Sequence, residues 1–241
     1  MQTNNKKVLA IITARGGSKS IPRKNIKPFF GKPLLAWSAI AAQESRVVDR
    51  LIISTDDEEI AQTARSYNVE VPFMRPEELA QDTTPSLPVL QHAVSWLNEN
   101  EQYKPDYVLL LEPTSPARQA FHISDAVQMA LARGADSVIS LGEVPGHFNM
   151  RWQVSMDNDG SAQLVDGTPW SQVITRRQDL PLTHFRNGVF YLFKTELLFA
   201  NEPSLYGEKV YGYPVEAKYS IDIDNPEDWV MAERLFAELG L

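Results

Sequence analysis

"IITARGGSKSIPRKN", residues 11–25, decides how this chain is read. The apolar run Val8–Thr13 has the length and composition of a buried strand. It breaks into Gly16-Gly17, and Arg15, Lys19, Arg23 and Lys24 follow or flank the break with Ser18 and Asn25. A glycine-rich loop after a first strand is a phosphate-binding device in α/β proteins, but the spacing here fits neither common form. The pattern G-x-G-x-x-G is absent, and so is G-x-x-x-x-G-K-[ST]. Both place a helix N-terminus directly at the loop. Here Pro22, Pro28 and Pro33 postpone any helix. The expected grip on an anion is therefore backbone N–H groups around Gly16–Ser18 plus side-chain cations, which suits a triphosphate. The competing reading is a solvated basic edge, and it applies most directly to Lys19 and Arg23.

Charge outside the loop sharpens the contrast. The 241-residue chain carries a formal net charge of −8, yet its first acidic residue is Glu44. Eight cations precede it, from Lys6 to Lys32. A local basic patch on an acidic body fits a small polyanion and excludes wholesale nucleic-acid binding, which needs a basic face. The chain has no cysteine, which excludes disulfides and thiolate chemistry and suits a reducing cytoplasm. No apolar run approaches the ~20 residues that span a bilayer, so no membrane partner is expected. His92, His122, His147 and His184 show no metal-ligand spacing.

Working outward, strand and helix patterns alternate. Strands are expected at 50–54, 69–73, 106–111, 136–141, 188–193 and 218–224, and helices at 33–43, 86–98 and 123–132. A further helix through Tyr67 opens on a capping box of Asp56 and Glu59, which accounts structurally for "STDD" (54–57). Asn225, Pro226 and Gly240 bracket the last helix. The order predicts one α/β domain over 1–241, a mostly parallel mixed sheet flanked by helices. The rhythm fails at 142–182, where short strand-like pieces surround the turn "DNDG". That segment is expected to be an inserted β-rich arm or flap.

"ARGGSKSIPRKN" resembles the signature loop of the acylneuraminate cytidylyltransferases, the CMP-sialic acid (CMP-nonulosonate) synthetases. "STDDEEIA", "RPEELAQDTTPS", "LLEPTSPAR" and "SIDIDNPEDW" are similar to that family's further blocks, in order. The resemblance implies a nucleotide-diphospho-sugar-transferase-like fold, a homodimer joined by the arm, and a reaction joining CTP to a 2-keto sugar acid with release of pyrophosphate. It implies that Arg15 and Lys24 neutralise phosphates, with Ser18 and Asn25 donating to them. Base recognition would fall to backbone around Ala14 with Arg75 and Ser86, although Arg75 also reads as a surface ion pair and Ser86 as a helix cap.

Asp222 and Asp224 form a second centre. At i, i+2 on a strand they would share one face and could grip Mg2+, with Ile221 and Ile223 facing the core. Taken alone, the pair also reads as a strand end capping the last helix. For the sugar acid, the resemblance points to Glu112, Thr114, Ser115, Asn187 and Tyr191, and to Arg151 and Arg177 in the arm, serving a neighbouring subunit. Sialic-acid members carry Gln where this chain has Glu112, and Arg-Pro where it has His184-Phe185-Arg186. The acceptor therefore stays open between a nonulosonate, a Kdo-like acid and a phosphonate. A nucleotidyltransferase of the same fold using another nucleotide, and a non-catalytic nucleotide-binding protein, are the alternative functions.

Overall fold

The first strand, β1 (Val8–Thr13), is covered on both faces, and its alternate side chains enter two different cores. Val8, Ala10 and Ile12 face one and Leu9 and Ile11 the other, as the two-residue period of a strand requires when both faces are covered. The computed structural model describes residues 6–240; the ends of the expected 1–241 unit, 1–5 and 241, lie outside the described residues.

After β1 the chain forms a minimal hairpin, β2 (Pro28–Phe29) with β3 (Lys32–Pro33), then α1 (Leu34–Ser45), β4 (Arg50–Ser54) and α2 (Glu58–Ser66). There follow α3 (Ser86–Glu101), β5 (Tyr107–Leu111), α4 (Ala120–Arg133) and β6 (Ser137–Glu143). A small antiparallel pair, β7 (Val154–Met156) and β8 (Ala162–Leu164), precedes β9 (His184–Lys194), β10 (Val210–Pro214) and α5 (Pro226–Leu239). The main sheet runs β10-β6-β9-β5-β1-β4. β1 is parallel to both neighbours, and only β9 runs against its own. Helices α1, α2 and α4 contribute Leu35, Ile60 and Ile123 to one core, and α3 contributes Leu90, Ala93 and Leu97 to the other. A third cluster closes α5 over the basic segment through Trp229, Phe236, Phe29, Ile221 and Ile223.

This arrangement puts the site. β4 and β5 flank β1 on opposite sides, so the strand order reverses there, and such a reversal opens a crevice beyond the carboxyl ends of the strands. The loops leaving β1, β4 and β5 all start at that end.

Three expectations are corrected. Residues 69–73 form no strand; Glu70 makes a single parallel bridge to Ile52, and Pro72, which has no N–H, prevents a longer ladder. Residues 218–224 form no strand either. Their backbone bonds go to loops: Ile223 N–H donates to the Thr114 carbonyl at 2.9 Å. The alternation nonetheless survives, with Ile221 and Ile223 buried and Asp222 and Asp224 turned out. At α2 the cap is Asp57, whose side chain accepts the Ile60 N–H, rather than Asp56. β10 was not foreseen.

Candidate active site

The Lys24 ammonium marks where the two ends of the chain meet. Lys24 begins a short 3-10 turn after Arg23, and its Nζ donates to the Ile223 carbonyl at 2.8 Å and lies 3.4 Å from an Asp224 carboxylate oxygen. Ser20 Oγ donates to the Asp224 carbonyl, a second stitch between loop and C-terminal segment. Beyond these stitches opens a cleft of about 610 Å³. Arg15, Ser18, Lys24 and Asn25 line it from the β1 loop, and Arg75 and Ser86 from the approach to α3. Glu112, Thr114, Asp222 and Asp224 complete it. Cations and acids expected at opposite ends of the sequence thus share one cavity large enough for a nucleotide.

The loop is built differently from the backbone cradle expected of it. The Gly16 N–H is taken by Asp56 at 3.0 Å, and the Ser18 N–H by the Gly16 carbonyl. Asn25 donates to the Arg15 carbonyl, bracing the loop from inside. Ala14 is wholly buried, and its N–H completes the ladder to Ser54. What the loop offers an anion is therefore chiefly side-chain charge. Arg15 and Lys19 both pair with Asp82, a cleft residue of the "RPEELAQDTTPS" block that was given no role of its own. Arg23, by contrast, pairs with Asp57 and Glu59.

Arg75 is not a surface ion pair. It is 7% exposed, its Nε donates to Ser54 Oγ at 3.0 Å, and burial pulls its pKa down to about 10. Ser86 opens α3 but makes no cap bond; Pro85 occupies the capping position. Asp222 loses enough water to the surrounding protein that its carboxyl is pushed above the usual range, although much of the residue faces the open cleft. The Thr114 side chain opposes that shift by hydrogen bonding, and Asp224 adds to it. Burial likewise raises Glu112, and the charge of Asp222 adds to the effect.

The sugar-side expectations divide. Ser115 is buried and donates to the Gly188 carbonyl at 3.3 Å. Asn187 sits in a bulge of β9, where the register against β6 shifts between Ile139 and Leu141, and its Nδ2 donates to Ser220 Oγ. Gly188 follows at φ 72°, a left-handed conformation that glycine adopts without penalty. Tyr191 is half-buried, its hydroxyl pushed up to about 12 by burial and then by Glu112. None of these three lines the cleft, nor do Arg151 and Arg177. Arg151 pairs with Asp166 at 2.8 Å, and Arg177 packs over Gly146, both inside the arm segment. Under the floor, Arg118 is buried and donates to the carbonyls of Glu112 and Val189 and to Ser38 Oγ. Burial lowers its pKa to about 9. Its motif, "SPAR", was visible in the sequence, but its bracing role was not.

Known proteins resemble this chain over nearly its whole length. A family profile described as cytidylyltransferase matches residues 9–239. The chain belongs to the cytidylyltransferase family. Among curated family members, CMP-N,N'-diacetyllegionaminic acid synthase of Legionella pneumophila is 34% identical over 232 residues, covering 95% of this chain and 96% of that protein. N-acylneuraminate cytidylyltransferase A of Danio rerio is 35% identical over 234 residues, 97% of this chain but 51% of that protein. The chain thus spans about half the length of the fish relatives it matches. A solved CMP:2-keto-3-deoxy-manno-octonic acid synthetase complexed with CTP superposes with a TM-score of 0.69 at 15% identity, covering 97% of this chain and 100% of that one. That likeness establishes a shared fold. Among the described residues, no helix is long and apolar enough to cross a membrane.

Proposed function

We propose that the protein is a CTP-dependent cytidylyltransferase that joins CMP to a 2-keto sugar acid of the nonulosonate class and releases pyrophosphate. The observation that carries this reading is the convergence of Arg15 and Lys24 with Asp222 and Asp224 in one nucleotide-sized cleft. Transfer at a phosphate asks little covalent chemistry of a protein; positioning and charge stabilisation supply most of the rate. Arg15 can grip phosphate oxygens bidentately, while Lys24 supplies a point charge for the α-phosphate and the departing pyrophosphate. In the same reading Arg75 and Ser86, which line the cleft, serve the base.

The two aspartates fit a hard cation by their chemistry. They offer carboxylate oxygen from adjacent outward positions, and among the described residues no cluster of three such ligands exists, so the chain provides a partial set and not a cage. Mg2+ suits such a set because it keeps waters and takes phosphate oxygens. When bound, it would neutralise charge on the phosphate oxygens. Asp222 and Asp224 would hold it, with Thr114 bonded to Asp222 and Lys24 beside Asp224 fixing the two carboxylates.

Glu112 narrows the acceptor. A half-buried carboxyl there favours a sugar presenting hydroxyl or amine donors and disfavours one presenting a carboxylate to it. The dimer belongs to the same reading, supported by apolar residues exposed in the 142–185 segment, among them Phe148, Met156 and Leu182. So does a cytoplasmic location, supported by a chain without cysteine. The test is a pyrophosphate-release screen of the four ribonucleoside triphosphates against a panel of 2-keto sugar acids, with and without Mg2+. Release with CTP and one acid class is expected; release only with another nucleotide would sink the assignment.

A further inference from the structure

The pair of acids in "STDD" does more than start α2. Asp57 caps the helix, its Oδ1 accepting the Ile60 N–H at 3.0 Å. The same oxygen accepts from Arg23 Nη2 at 2.9 Å, and the other oxygen takes Nη1. Glu59, in the first turn of α2, grips the same guanidinium. Next door, Asp56 accepts the Gly16 N–H at 3.0 Å. A Cβ on Gly16 would stand 2.7 Å from an Asp57 oxygen that is itself anchored, so the loop passes these acids as closely as its backbone allows. The two acids therefore hold both ends of the basic loop, at Gly16 and at Arg23.

Arg23 also carries a backbone burden. It sits at φ 55°, ψ 30°, a left-handed conformation that is strained for an L-residue. Lys24 follows it directly. For capping alone Asp57 needs no charge, because Asn serves an N-cap about as well as Asp. The charge is surplus to the helix and is used by Arg23, in the bidentate form that fixes orientation as well as distance. Arg23 itself does not line the cleft.

We propose that the Arg23–Asp57 pair is a strut that holds the loop in the conformation placing Lys24 over the α-phosphate, so that Arg23 and Asp57 are positioning residues and Arg23 is not a phosphate ligand. This rests on the reading of Lys24 as a phosphate-facing group. Asp57→Asn keeps the cap and removes the charge; Asp57→Ala removes both. Asp57→Asn is expected to keep its Tm within a few degrees of wild type while kcat for CTP falls about tenfold or more. Asp57→Ala shows the same fall with a lower Tm. Arg23→Ala matches Asp57→Asn, and the double variant Arg23→Ala/Asp57→Asn is no worse than either alone, because both act through one contact.

Wild-type kcat and KM in Asp57→Asn would reduce the acid to a cap and overturn the proposal. Losses that multiply in the double variant would overturn it too, by placing Arg23 on the nucleotide. Calorimetry with inorganic tripolyphosphate separates this from the functional reading, since both single variants should weaken its binding by the same factor whichever nucleotide the enzyme turns over. A wild-type protein silent with every nucleotide would count against the function; equal weakening of tripolyphosphate binding would still support the strut.

Discussion

Replacing Lys24 with methionine removes one charge and keeps the stem of the side chain. The Lys24 side chain is 12% exposed, so its charge acts through a medium closer to protein than to water. At an effective dielectric of about 20, a unit charge about 4 Å from another is worth about 4 kcal/mol. Mutational loss of one preorganised donor at a developing charge is about 3–4 kcal/mol, or 10²–10³-fold in kcat. Both routes give the same order, so Lys24→Met should lower kcat by about 10²–10³. Its structural role is smaller. The bond to the Ile223 carbonyl involves a charged donor and contributes about 1.5–3 kcal/mol, while the contact with largely exposed Asp224 contributes less than about 1. The assay pairs pyrophosphate release under saturating CTP with urea denaturation of the same sample. A stability loss of that size with unchanged kcat would show that Lys24 only staples the C-terminal segment, and the charge argument would fail.

Three further outcomes are expected. Asp224→Asn should raise the Mg2+ concentration for half-maximal activity about tenfold or more, and an unchanged titration would remove Asp224 from the proposed metal ligands. Glu112→Gln should shift KM for the acceptor about tenfold while KM for CTP stays within about twofold; the reverse pattern would move Glu112 to the nucleotide end. His122, buried and lowered to about 4 first by burial and then by Arg118, remains neutral in the fold while the unfolded chain takes up a proton near the ordinary histidine value, so its contribution is complete above about pH 6.5 and is lost as pH falls towards 4. Up to about 3 kcal/mol is at stake, and His122→Gln, which keeps the reach back to the Gln119 N–H, should flatten denaturation midpoints across that window relative to wild type.

Where burial on both faces made an apolar run, the sequence was enough. β1 and β4 fall where their runs fall, because turn residues bound them on both sides. β10 was missed because "VYGYP" contains glycine and proline and lies at the sheet edge, with side chains alternating between exposed and half-buried. The segment 218–224 misled in the opposite sense. Its alternation is real, but the partners of its backbone are loops, and periodicity cannot distinguish a ladder from isolated bonds. The site divided along the same line. Arg15, Lys24, Asp222 and Asp224 were legible as residue types whose charge needs a reason. Asp82 and Asp57 were not, since their meaning lies in cations 67 and 34 residues away.

Those pairings also show how the charge of so basic a loop is balanced within the fold. Arg15 and Lys19 share Asp82, Arg23 has Asp57 and Glu59, and Lys24 has Asp224. The loop is close to electrically balanced by acids drawn from three distant segments. The pairs are not equally easy to break. Those on Asp82 are monodentate and face solvent, and such contacts contribute about 0–1 kcal/mol each. The Arg23–Asp57 contact is bidentate and backed by Glu59. On the proposed function, a triphosphate with about four charges would displace the Asp82 contacts at small cost and leave the strut standing. The loop then yields its outer cations to the ligand without losing the shape that aims Lys24.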